Sequence, residues 1–200
     1  MNSITRILVA IATIFTALTS VAFAHTGHGD AGGFMQGLTH PFGGLDHVLV
    51  MVAVGFYAVL LGGRALWLVP ATFVGLMALG GALGASGFAL PLGEIGVATS
   101  VIVLGLAIAL RLTLPALVSV VLVGLFATFH GFAHGLERPQ SASGYQYAAG
   151  FMLATALLHS TGIALGLLAD KLSKAGGRRT VQLAGGAMAL AGAVFLTSAL

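Results

Sequence analysis

The side chains able to hold a metal ion or carry a proton are few in this chain: seven histidines, five acids and no cysteine in 200 residues. They fall in blocks. The first is His40-Pro41-Phe42-Gly43-Gly44-Leu45-Asp46-His47. On a continuous helix His40 and His47, seven apart, would share a face with Met51, although Pro41 and the glycine pair predict an irregular start to that helix. Asp46 beside His47 is either a co-ligand or the acceptor that fixes the imidazole tautomer. The second block is Phe129-His130-Gly131-Phe132-Ala133-His134-Gly135-Leu136-Glu137. Its two histidines are one helical turn apart, the spacing at which two imidazoles grip one ion, and Glu137 continues the same face. His159 stands alone in an apolar run, with Thr155 one turn before it and Gly162 nearly one turn after. It reads either as a ligand or proton acceptor along a path or as a hydrogen-bonded core residue. Glu94 reads as a solvated acid that complements a helix start.

Imidazole and carboxylate, with thioether optional and thiolate absent, suit Ni²⁺, Co²⁺ or Zn²⁺ better than Cu(I) or Mg²⁺. The affinity order alone does not choose among the three.

The elements that must carry these residues belong in a bilayer. Hydrophobic residues make up 58% of the chain and charged residues 6%, with 30 glycines and a mean hydropathy of +1.06. A soluble domain carries roughly 25% charged residues. The net charge of +3 brings no basic cluster interleaved with exposed aromatics, so nucleic acid is not an expected partner. Residues 1–24 have the layout of a cleavable signal peptide: Arg6, an apolar stretch from Ile7 to Val21, then Ala22-Phe23-Ala24. Cleavage there would leave His25 as the mature terminus. Its amine and imidazole, with His28 and Asp30, would form a chelating collector in a periplasmic tail spanning 25–39.

Hydropathy places six spans after that, at 43–61, 65–84, 93–110, 112–130, 145–168 and 180–199, so residues 25–200 read as one all-α membrane bundle. With the N-terminus outside, Arg64, Arg111, Lys171, Lys174, Arg178 and Arg179 face the cytoplasm and only Arg138 faces out. That bias predicts an inner-membrane protein with both termini in the periplasm. Small residues four apart, at Gly80 and Gly84, Gly105 and Ala109, Gly162 and Gly166, and Gly185 and Ala189, predict closely packed helix pairs. The histidines and acids, apart from Asp170 and mid-span His159, then fall in the outer half of the membrane or at its outer surface. Ionisable groups at membrane depth are functional candidates by default.

The His40-x5-Asp46-His47 pattern, the block from Phe129 to Glu137 and the stretch Ala154-Thr155-Ala156-Leu157-Leu158-His159 together resemble the HupE/UreJ family, over practically the whole mature chain. The resemblance implies a secondary permease for nickel or cobalt, encoded beside hydrogenase or urease genes. It implies His40, Asp46, His47, His130 and His134 as the functional residues, with Glu137 also matching. The ion would be cargo and no resident cofactor is expected. An outer-membrane receptor or a nickel metallochaperone fits as partner, but neither leaves a trace in the sequence. There is no GxxxxGK[ST] loop, so the chain itself is not an ATP-driven pump. The competing reading is an intramembrane zinc hydrolase in which His130, His134 and His47 hold Zn²⁺ and Asp46 or Glu137 activates water.

Overall fold

The computed structural model describes residues 31–88, 90–138, 143–172 and 177–200, and among them every regular element is a helix. A short α1 (Ala31–Thr39) runs into a 3₁₀ turn (His40–Gly43) and then α2 (Leu45–Leu61). There follow α3 (Ala65–Ala85), α4 (Gly93–Ala109), α5 (Ala116–Glu137), α6 (Gly144–Leu172) and α7 (Gly177–Ser198). Four of these, α3, α5, α6 and α7, are long and apolar enough to cross a bilayer. The pair α1 and α2 would make a fifth span if counted as one, but it is bent by 88°. The 17-residue α4 is apolar but shorter. The chain is a multi-pass membrane protein.

The glycine rows set which helices touch. Between α3 and α5 the fit is reciprocal: a Cβ at Gly80 or Gly84 would strike the carbonyls of Thr128 or Phe132, and one at Gly131 or Gly135 would strike those of Met77 or Gly81. Gly105 and Gly185 do the same for α4 and α7, against the backbone of the facing Ala189 and Ala109. Gly55 and Gly162 join α2 to α6 through the carbonyls of His159 and Val52. Backbones this close gain dispersion contact where apolar burial offers no advantage over lipid. Gly131 and Gly135, set among the histidines, therefore seat α5 on α3.

Three sequence expectations change. Residues 31–39 of the expected tail form α1, held on α6 because Gly37 meets the carbonyl of Tyr147 and Gly150 that of Phe34. The fourth span, expected over 112–130, is a helix over Ala116–Glu137. It starts late because Pro115 caps it at φ −52°, ψ 141°, following Arg111 at φ 54°. His40 does not share a helix face with His47 and Met51, because the chain turns at Gly44, which is extended (φ −121°, ψ 125°). Met51 packs in the apolar core. His25, His28 and the signal-peptide segment lie outside the described residues.

Candidate metal-binding site

The 88° corner at Gly44 brings two arms of one segment against the end of α5. A Cβ on Gly44 would lie 2.6 Å from Asp46 Oδ1 and 2.8 Å from His47 Nδ1, so a residue without one is needed for this pair to fold back over the turn. His47 then reaches α5, its ring centroid 4.9 Å from that of His130 and 4.1 Å from that of His134. His40, on the 3₁₀ arm, stands edge-on to His134 at 4.9 Å. Two groups of ligand atoms result, each lying within 4.8 Å of one another: His47, His130 and His134, and His40, His134 and Glu137. His134 belongs to both.

Exposure falls along the cluster. The side chain of Glu137 is 57% exposed, that of His40 26%, that of His47 12% and that of His134 5%, while His130 is wholly buried. Phe151 packs on His134 at 4.2 Å, Tyr147 on His40 at 5.6 Å and Phe73 on His130 at 5.7 Å, walling the cluster with aromatic surface. An apolar wall around a few converging polar atoms is the usual make-up of a small-ligand site.

Hydrogen bonding decides which lone pairs are free. His47 Nδ1 donates to Asp46 Oδ1 at 2.8 Å, since a carboxylate only accepts, and this leaves Nε2 as the bare acceptor. The same oxygen takes the His47 backbone N–H at 2.9 Å. Ser100 on α4 spends its hydroxyl proton on the carbonyl of Val97 at 2.6 Å, so its oxygen accepts from His130 Nε2 at 2.8 Å. His130 Nδ1 is then unprotonated. Glu137 Oε2 sits 3.0 Å from His40 Nε2 but 3.7 Å from His134 Nδ1, too far to bond the latter.

Among the described residues, the buried side-chain nitrogens and oxygens without a protein partner are the Tyr147 hydroxyl and nitrogens of His47, His130, His134 and His159. Buried polar atoms are rarely left unpaired. Those of His47, His130 and His134 lie together, with the tautomers of His47 and His130 set by Asp46 and Ser100, and they make a group of lone pairs suited to a divalent cation.

Of the residues singled out from sequence, the fold brings together His40, His47, His130, His134 and Glu137, and places Asp46 behind His47 as its orienting acceptor. Met51 and His159 are in neither ligand group, and Glu94 is an exposed first-turn acid of α4. Sequence reading missed Ser100 and Phe73. Ser100 sits in the apolar run Val97-Ala98-Thr99-Ser100-Val101, where a hydroxyl reads as a small packing residue.

The model of the HupE / UreJ protein family matches residues 13–195. The chain belongs to this family. It is 50% identical over 181 residues, covering 90% of this chain and 92% of the other, to Protein HupE of Rhizobium leguminosarum bv. viciae. No solved structure is matched. The family assignment spans every element that builds the cluster, from the corner at Gly44 to the end of α5 and the aromatic wall of α6.

Proposed function

We propose that this protein is a secondary permease that carries nickel or cobalt ions inward across a bacterial inner membrane. One observation carries the reading: three imidazoles from two separate segments converge, one ring nitrogen of each within 4.8 Å of the others, at the buried end of a cluster that opens outward through Glu137 and His40. Family membership supports it, through the resemblance described above.

A hydrated dication meets Glu137 and His40 first, where a carboxylate and one imidazole replace part of its water shell. His134 belongs to both groups, so the ion passes to His47 and His130 without losing all its protein ligands at once. Conduction needs binding strong enough to strip water and weak enough to release, and neutral imidazoles with one outer carboxylate meet that balance better than a closed thiolate cage. The membrane potential favours inward movement of a dication by about 4.6 kcal/mol per 100 mV, so no nucleotide is required. In this reading α2 to α7 are six spans following a signal peptide, both termini lie in the periplasm, and the protein is a transporter serving a hydrogenase or urease rather than an enzyme.

The test is purified protein in liposomes loaded with a metal-sensitive dye, comparing Ni²⁺, Co²⁺ and Zn²⁺ for wild type, Asp46→Asn and His130→Ala. Selective Ni²⁺ or Co²⁺ uptake, lost in both variants, is the expected result. Tight Zn²⁺ retention with no transfer would favour the hydrolase reading instead.

A further inference from the structure

One histidine belongs to neither ligand group. His159 of α6 is 2% exposed, and neither of its ring nitrogens has a protein partner. Its ring stands edge-on to Phe73 of α3, with centroids 5.1 Å apart and planes at 85°. That same Phe73 ring also neighbours His130, 5.7 Å away. A single aromatic ring thus lies between the deepest imidazole of the cluster and the next imidazole along the bundle.

The contact has a second rung. One turn from His159 and Phe73 on the same two helices, the Thr155 hydroxyl lies 3.6 Å from the Met77 sulfur while donating to the Phe151 carbonyl at 3.0 Å. Thr155 and Met77 are both fully or almost fully buried. Imidazole, thioether and hydroxyl are donors that a borderline divalent cation accepts. A residue serving only to fill space here would be apolar, since an unpaired buried imidazole is unfavourable where leucine or phenylalanine is not.

His159 also lies in the right direction. It is eight residues, about 12 Å, farther along α6 than Phe151, whose ring packs on His134. Seven residues beyond it, Gly166 lines a cleft of about 240 Å³ at the opposite end of the bundle, together with Phe56, Arg111, Asp170 and Arg178.

Resting on the permease reading, we infer that His159 is a further ligand for the transported divalent cation, receiving it from His130 past the Phe73 ring, with the Met77 thioether and the Thr155 hydroxyl as lesser donors beside it.

The experiment measures two quantities on the full chain: equilibrium Ni²⁺ binding in detergent by titration calorimetry, and Ni²⁺ uptake into dye-loaded liposomes. His159→Gln keeps binding within about twofold, because the three-histidine group is untouched, while uptake falls about tenfold or more. Undiminished uptake overturns the inference, as does joint loss of binding and uptake in a variant that melts at the wild-type temperature, which would make His159 a support for the outer cluster.

A second variant does not depend on glutamine being tolerated. The chain has no cysteine, so His159→Cys introduces a single thiolate. If residue 159 touches the ion, uptake of Cd²⁺ relative to Ni²⁺ rises by about tenfold, and an unchanged ratio counts against contact. A wild type that carries neither Ni²⁺ nor Co²⁺ sinks the permease reading itself, whereas a working wild type with an equally active His159→Gln sinks only the role of His159.

Discussion

At the outer end of the cluster, Glu137 and His40 meet at 3.0 Å with more than half of the carboxylate side chain in contact with the surroundings. At the inner end, His47 and His130 are held by Asp46 at 2.8 Å and by Ser100 at 2.8 Å, with Phe73 packed on His130. The outer pair satisfy each other, so an arriving ion must compete with an existing contact. The inner pair are held from behind, and their rings gather with that of His134. Ligands bonded to each other favour loose, reversible capture, whereas ligands oriented by a second layer favour a defined coordination geometry. In the proposed permease one end would collect ions and the other would select them.

His134, which belongs to both groups, gives the sharpest way to break this comparison. His134→Ala should reduce uptake by about 100-fold or more and also weaken equilibrium Ni²⁺ binding, since each group loses a ligand; calorimetry alongside liposome flux checks both. Asp46→Asn and Ser100→Ala remove only what orients the inner imidazoles. Each should weaken Ni²⁺ affinity by about 10- to 100-fold while the melting temperature stays near wild type, and the X-ray absorption spectrum of bound Ni²⁺ should show a less ordered imidazole shell. If both variants bind as well as wild type, the two ends do not differ as described.

A smaller effect is expected outside. Glu137→Gln keeps shape and hydrogen bonding but removes the charge that attracts a dication, so the KM for uptake should rise about tenfold with the maximal rate less affected, more so at low ionic strength. Acidification tests every imidazole together. Imidazole binds metal only when neutral, so uptake at constant free metal and potential should decline on acidification, and uptake that held steady until the protein unfolded would count against imidazole ligation. The smallest change belongs to Met51→Leu. Its thioether lies in the apolar core, so a swap of similar volume should leave uptake within about twofold.

Much of this arrangement is legible in the chain. The four-residue rows of glycine and alanine announce the close helix pairs, because only residues without bulk let backbones meet, and the described helices keep most of the boundaries read from hydropathy. The two histidine blocks are visible through their spacing. The corner at Gly44 is only half legible: Pro41 and the glycines forecast a break, but not an 88° turn that separates His40 from the face of His47. Ser100 was hidden for another reason. Its partner is thirty residues away, on another helix.

The sequence by itself determined that this chain is a helical membrane protein whose candidate ligands are imidazole and carboxylate, because composition and local periodicity act within one helix. Only the tertiary structure decided that His134 joins two ligand groups, that Asp46 and Ser100 set the tautomers, and that Phe73 stands between His130 and His159. Those relations depend on the register in which helices distant in sequence pack together, and glycines fix that register to within a turn only once their partners are in place.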